Sequence, residues 1–576
     1  MQIKLVNPNY ENNYLENLLT YRGVEDLNTF LNPSPDELEE PELLDNIEEG
    51  FKLYIDTIKK RGRIALIVDC DCDGFTSGTI IYQYTKRYAP HINIDYYIHT
   101  KKQHGLEDMI DELMLAEPAY DLVICPDSSS NDKDYHEALG GRGTRTLVLD
   151  HHILDDMDTS PYAVIINNQI SERYKNKELT GAGVTYQFCR YCDKMLDLNN
   201  SSDLIDLAAL GVCGDMGSVL ELENRYIMKY GFSHITNKFF SALVDRQSYS
   251  MGGICNPTTV AFYIVPLINA MIRVGTEEEK NRMFVAFIDG DRMVPCNKRG
   301  AKGTLEKVAI ESTRECINAR SRQNKLLDTN TERLEIKAHK EGLLDNKILI
   351  ITLDEDDEFP SEINGLLAMR LSQHFKKPTI VVRPNPSGYL RGSIRGLQNS
   401  PMDDFRQFLI ESGDCEYVSG HAQAAGVSFK QTDLDKLQTY ANNQLKGVDF
   451  GEGCYEVNFT RYAADEDLKD MIMDLGAYPE VWGQGNSETK IFVKDINISQ
   501  DDIQVLGTRL DTLKIEKFGI CYMKFFAKDL IEELRNKGGD LKLNIVGHAN
   551  INRWGGRVTP QVFIDAYEVL DGTYGF

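Results

Sequence analysis

The stretch IALIVDCDCDGFTSG, from Ile64 to Gly78, decides the fold. Its first five residues form a short apolar run rich in β-branched side chains, the mark of a strand buried on both faces. Asp69, Asp71 and Asp73 follow at once. Gly74 then permits a sharp turn into the next helix. Three alternating carboxylates held together without a counter-charge repel one another, so a divalent cation is the natural reason to gather them at a strand's carboxyl end. Taken alone, the same stretch also reads as a solvated acidic loop.

Its surroundings favour the cation. Between Gly62 and about Ser218, short apolar runs (INIDYYI, DLVIC, TLVL, AVII) alternate with helix-like segments, which predicts an α/β fold with a parallel sheet. DLVICPDSSS puts Asp127 past one strand, TLVLDHHILDD puts Asp150, His151 and His152 past another, and LAALGVCGDMGS sets Asp215 beside two glycines at an expected further strand end. Ligands of open α/β sheets bind at the carboxyl edge, where these groups converge. Mixed Asp and His ligation suits manganese, with magnesium the alternative, better than calcium, and the number of acidic groups leaves room for two divalent ions. Such a pair activates water and stabilises charge on an attacked phosphate, so the predicted reaction class is metal-assisted phosphoester hydrolysis.

The composition limits the rest. At 576 residues the chain exceeds the size at which one core keeps growing, and its 42% hydrophobic and 26% charged content is that of a globular protein. A formal charge of -26 argues against indiscriminate adhesion to nucleic acid, so any DNA path must be local, as near Arg292, Lys298, Arg299 and Lys302. With no leader-like start and no run of about 18 unbroken apolar residues, no membrane association and a cytoplasmic location are expected. The twelve cysteines show no dense spacing pattern, and the lone CxxC pair, Cys189 and Cys192, reads as two neighbours on a helix with no zinc.

A helical stretch at 303–342 precedes a second α/β unit, KILIITL, NGLLAMRLSQHF, PTIVV and GYLRGSIRG, and glycine-broken strands after 451 suggest a small β barrel. The set Asp69-x-Asp71-x-Asp73-Gly74, Asp127, Asp150-His151-His152 and Gly214-Asp215 resembles, in content and order, the DHH phosphoesterase family. The leader TYRGVEDLNTFLNP, the segments ENRYIMKYGF and IVPLINAMIRVGT, and SGHAQAAGVSF resemble the RecJ-like branch of that family. One departure is DSSSND, where that branch usually has Asp-Asn-Gly. The intervening Cys70 and Cys72 also differ in type, and strand alternation is expected to point them away from the carboxylates.

The resemblance implies five parts: a leader (1–50), a DHH catalytic domain (51–240), a helical connector (241–345), a smaller α/β DHH-associated domain (346–450) and an OB-like β barrel (451–576). It makes Asp71, Asp73, Asp127, His151 and Asp215 the metal ligands, with Asp69 adjoining, Asp150 bridging or orienting, and His152 touching the scissile phosphate or acting as an acid. Substrate-binding candidates are Asn269, Arg273, Ser393, Arg395, His421, Arg553 and Trp554, with Arg557 beside them. The blander readings are a turn cap for Ser393, a surface ion pair for Arg395, a core histidine for His421 and barrel packing for Trp554. The active site is expected in the cleft between the two α/β domains. The implied activity is 5′-to-3′ hydrolysis of single-stranded DNA to mononucleotides in recombination, repair or replication, with a single-strand-binding or other replication or repair protein as a candidate partner. The alternatives are a phosphodiesterase for short oligonucleotides or cyclic dinucleotides, and an inactive relative that binds DNA or a replication partner.

Overall fold

A computed structural model describes residues 1–99, 104–155, 158–298, 300–301, 303–354, 357, 359–397, 399–450, 453–507, 510–554 and 557–571, with Trp554 described by its backbone only. Arg299 and Lys302 of the expected basic stretch lie outside the described residues. The chain divides into two compact units, one of residues 28–324 with 480–486, the other of 1–27 with 325–479 and 487–576.

The first unit is built on five parallel strands: β1 (Ile64–Val68), β2 (Ile94–Ile98), β3 (Leu122–Pro126), β4 (Arg145–Asp150) and β5 (Ala163–Asn167). Their order is β2-β1-β3-β4-β5. Every residue of β1 and β3 is buried. Side chains alternate between two cores, with Ile64, Leu66 and Val68 on one face and Ala65 and Ile67 on the other. Each large apolar side chain among them contributes about 2 kcal/mol on burial, and a sheet covered on both faces explains the unbroken apolar runs. Helices α1 (Cys72–Tyr88), α2 (Gly181–Leu196), α3 (Ile205–Gly214) and α4 (Leu222–Ser233) lie in the same unit. Because β1 is flanked by β2 and β3, the strand order reverses between β1 and β3, and a crevice at that switch point is where open α/β sheets hold ligands.

Cys189 and Cys192 are fully buried in α2. The window Pro257–Val274 is apolar and long enough to cross a membrane by composition. It is two helices, Pro257–Tyr263 and Val265–Val274, and carries Asn269 and Arg273. The expected long helix or helix pair is a single helix, Val308–Lys340, and the division between the units falls within it at Lys325.

The second unit holds a mixed five-stranded sheet, in order Tyr417–His421, Ala424–Lys430, Tyr389–Arg395, Thr379–Pro384 and Leu349–Thr352, with only the last pair parallel. The chain's first strand, Gln2–Leu5, pairs in parallel with Cys454–Val457, which ties the amino-terminal segment to this unit. Where a barrel was expected, the described residues form a seven-stranded sheet whose edge strands, Phe459–Tyr462 and Gln504–Leu506, do not pair with each other. Strand alternation was visible in the sequence, but closure depends on edge pairing that no single strand encodes.

Candidate metal centre

At the end of β1 the backbone does not make the turn expected at Gly74. Asp71 caps α1, its Oδ1 accepting from Gly74 N at 2.9 Å, so Gly74 lies inside the first helical turn. What Gly74 permits is close approach, since a Cβ there would stand 2.6 Å from the Asp69 Cβ. Strand alternation ends at Val68, and Cys70 therefore does not point away from the acidic groups but shares a cluster with Asp69 and His104. Cys72 is buried in the core as expected of a packing residue.

Asp73 is buried against the amino end of α2, its Oδ1 accepting from Thr180 Oγ1 at 2.9 Å and Ala182 N at 3.0 Å, its Oδ2 from Gly181 N at 2.7 Å. Helix amino termini favour such a carboxylate. Asp127 stands past β3 in the left-handed region at φ 64, with Ser129 at φ 81. A Cβ at Gly181 would lie 2.5 Å from the Cβ and Oδ1 of Asp127, so α2 can start this close only with glycine there. Asp215 was expected at a strand end, but it caps the carboxyl end of α3. The apolar run LAALGVC misled the reading, because a short buried run has the same composition in helix and strand.

His151, Asp127 and Asp215 meet, with His151 Nε2 3.2 Å from Asp127 Oδ1 and 3.3 Å from Asp215 Oδ2. Asp127 Oδ1 and His151 Nε2 are nevertheless buried without a hydrogen-bond partner, as is Asp69 Oδ1, so these groups are close but not aligned on one another. Potential ligand atoms of Asp73, His151 and Asp215 lie within 4.8 Å of one another, as do those of Asp69, Asp71 and Asp127. Burial, then repulsion from Asp73, Asp71, Asp69 and Asp215, pushes the Asp127 carboxyl well above the usual range. Burial and then Asp73 and Asp71 push Asp215 up to about 8. Orphaned acceptors converging on one space, each resisting its own charge, fit a divalent cation and its carboxylate and imidazole donors.

Asp150 does a different job. It is fully buried and accepts from Ser130 N at 3.1 Å, His151 N at 2.7 Å and His152 N at 3.2 Å, and its Oδ1 lies 2.7 Å from His152 Nδ1. Burial opposes its charge, but these partners, His152 foremost, hold its carboxyl below the usual range. The same pairing overcomes burial and raises His152 to about 9. With Nδ1 engaged, the half-exposed His152 ring has Nε2 left for a substrate.

His104 was not singled out in the sequence. Its Nδ1 lies 2.6 Å from Asp69 Oδ2, and its ring centroid is 5.9 Å from that of His152. A lone histidine in a polar stretch has no spacing pattern to betray it.

Of the substrate-binding candidates, Asn269 and Arg273 share the helix Val265–Val274. Asn269 Oδ1 is buried without a partner, and burial, then the positive Arg320, lowers the Arg273 guanidinium while Asp71 and Cys70 oppose this. Arg273 thus lies within electrostatic reach of the β1 loop. In the other unit, Arg395 and His421 both pair with Ala424, which sets them in one row across three strands, and Ser393 pairs with Gly426. The Arg395 side chain packs over Gly365 near the start of helix Asn364–Phe375, where a Cβ would stand 2.5 Å from its Nη2. Arg553 and Arg557 are exposed at the end of the hairpin formed by Leu541–Trp554 and Arg557–Asp571, on the seven-stranded sheet. The Trp554 side chain lies outside the described residues.

A carboxylate-rich centre with two histidines at the switch point of a parallel sheet defines a metal-centre α/β protein of the phosphoesterase type. The DHH family, N-terminal domain, matches residues 63–212. The chain is 33% identical over 577 residues, 99% of this chain and 98% of the relative, to the protein named "Putative SPbeta prophage-derived single-strand DNA-specific exonuclease YorK" of Bacillus subtilis (strain 168). It is 23% identical to the single-stranded-DNA-specific exonuclease RecJ of Haemophilus influenzae, covering 92% of each chain. Its fold is that of RecJ from Thermus thermophilus in complex with Mn2+, with a TM-score of 0.71 at 19% identity, covering 96% of this chain and 76% of the other. The chain belongs to the DHH family, in its RecJ-like branch.

Proposed function

We propose that the protein is a metal-dependent exonuclease that hydrolyses single-stranded DNA from the 5′ end to mononucleotides, in recombination, repair or replication. The observation that carries this reading is the set of buried, unpartnered Asp69, Asp127 and His151 atoms at the sheet's switch point, in a chain that matches, over 99% of its length, a relative named as a single-strand DNA-specific exonuclease.

Asp71, Asp73, Asp127, His151 and Asp215 would hold two divalent ions, manganese first and magnesium as the alternative. The chemistry that such ions supply is activation of water and neutralisation of charge on the phosphate. The chain's own residues do the rest. Asp150 orients the loop carrying His151 and His152 by accepting both backbone N–H groups and the His152 ring. His152 presents Nε2 to the scissile phosphate, and Arg273 grips a phosphate of the strand. In the other unit Ser393, Arg395 and His421 take the terminal phosphate, while Arg553 and Trp554 support the strand through charge and stacking. A single-strand-binding protein is the partner proposed to bring so acidic a chain to DNA.

The test is a gel time course with purified protein and manganese on single-stranded DNA labelled at either end, beside duplex DNA, RNA and a cyclic dinucleotide. Early release of the 5′ label as a mononucleotide from single strands supports the reading. Preference for the cyclic dinucleotide, or no cleavage of any substrate, overturns it.

A further inference from the structure

Asp69 adjoins the metal centre, and the geometry around it points to a neighbour outside the acidic motif. Asp69 is fully buried, and its two oxygens are not equivalent. Oδ2 lies 2.6 Å from His104 Nδ1, whereas Oδ1 is buried with no hydrogen-bond partner. His99 Nε2 stands 3.8 Å from Oδ1 and is itself unpartnered. A buried carboxylate oxygen left without a donor costs roughly 1–3 kcal/mol or more, which folded proteins rarely leave uncompensated. Asp69 belongs to the group with Asp71 and Asp127 whose ligand atoms lie within 4.8 Å of one another, and Asp127 Oδ1 in that group is likewise an orphan.

His104 is also fixed from behind. Leu106 N, two residues on, donates to Asp132 Oδ2 at 2.8 Å, and the same oxygen accepts from Ser129 Oγ at 2.7 Å, two residues past Asp127. Between His104 and Leu106, Gly105 holds φ +77, and a Cβ there would stand 2.2 Å from Asp132 Oδ2, so this turn passes so close to the Asp127 loop only with glycine. The turn that carries His104 and the loop that carries Asp127 are therefore braced on one carboxylate.

We propose that His104 is the positioning residue of this centre: it holds Asp69 Oδ2, so that Oδ1, in one group with Asp71 and Asp127, is left facing the cation. The arrangement is the carboxylate–histidine pairing that supports metal ligands, with the carboxylate as ligand and the histidine outside it. The proposal rests on the reading of this centre as a cation site.

The experiment is a Mn2+ titration of the full-length protein, read by the electron paramagnetic resonance of free Mn2+ and by calorimetry. His104→Ala should weaken the Mn2+ affinity by about 10–100-fold, the usual effect of losing a ligand's outer partner. His104→Asn places an amide N–H where Nδ1 stands and should recover most of that loss, whereas His104→Phe should not. Unchanged Mn2+ affinity in His104→Ala, with the fold intact by circular dichroism, overturns the proposal, and so does equal affinity in the Asn and Phe variants. The nuclease reading is judged separately on the wild-type protein: if it binds Mn2+ with the predicted dependence on His104 yet cleaves no single-stranded DNA, the role of His104 stands and the exonuclease reading falls.

Discussion

Two clusters in the same unit bury carboxylates to the same depth and treat them in opposite ways. Glu223 of α4 is 2% exposed and accepts from Tyr174 Oη at 2.7 and 2.9 Å, Asn176 Nδ2 at 2.9 Å, Glu39 N at 3.2 Å and Gln187 Nε2. Asp127 is 1% exposed, and its Oδ1 receives nothing. Burial raises both carboxyls, but hydrogen bonds moderate the shift at Glu223 while neighbouring carboxylates enlarge it at Asp127. A satisfied buried carboxylate is a structural tie; an unsatisfied one facing others of its kind is a demand for positive charge. Glu223 serves the centre at one remove, because Asn176 opens the segment that ends at Thr180 and Gly181, the donors to Asp73.

The widest separation between the clusters should appear when each carboxylate is replaced. Asp127→Asn should lower the hydrolysis rate by more than about 100-fold, beyond the loss typical of an outer partner, while the metal-free protein keeps or gains thermal stability because a repelling charge has gone. Rates on labelled single-stranded DNA and a melting curve in chelator check both halves. A drop in metal-free Tm would mean that Asp127 is a structural tie after all. Glu223→Ala should do the reverse in kind, taking the acceptor from four donors, of which Asn176 Nδ2 and Gln187 Nε2 keep another, and lowering stability by about 1–3 kcal/mol in a denaturant titration. A change below about 0.5 kcal/mol would end the contrast.

Gly181→Ala tests the contact between helix and centre. The new methyl would press on Asp127 at 2.5 Å, so a cost of about 1–3 kcal/mol is expected from overpacking. A weaker Mn2+ affinity should accompany it. Wild-type stability together with wild-type affinity would show that α2 can retreat without disturbing Asp127.

The acidic motif, the three strand ends and the tripeptide at 150–152 were legible because each is a local pattern: a short apolar run followed at once by polar residues of one chemistry. Residues that join the site from elsewhere were not. His104 has no repeat or spacing to mark it, and its role depends on a turn braced by Asp132. Asp215 was found as a residue but misplaced, because α3 is buried throughout its apolar part and so lacks the one-sided stripe that separates a surface helix from a strand. The carboxyl-terminal strands were visible as strands, but their assembly into seven with two edges depends on pairings between distant segments, such as Phe459–Tyr462 beside Lys490–Ile498.

The departure at DSSSND carries the finest contrast. Ser129 holds φ 81, where a side chain costs roughly 1–2 kcal/mol and glycine costs nothing. Its hydroxyl donates to Asp132 Oδ2 at 2.7 Å and lies 3.1 Å from His136 Nε2. The bond to Asp132 braces the turn after His104, so serine exchanges backbone ease for a tie to the centre. Ser129→Ala keeps the strain and loses the tie, and should cost about 1–2 kcal/mol. Ser129→Gly loses the tie but relieves a strain of similar size, which leaves roughly 0.5–1 kcal/mol for the looser unfolded chain, so it should cost about 0.5–1 kcal/mol, less than alanine. Denaturant midpoints of the two variants decide the matter: if glycine is more damaging than alanine by about 0.5–1 kcal/mol, the left-handed backbone at Ser129 carries no strain, and the hydroxyl alone explains the residue.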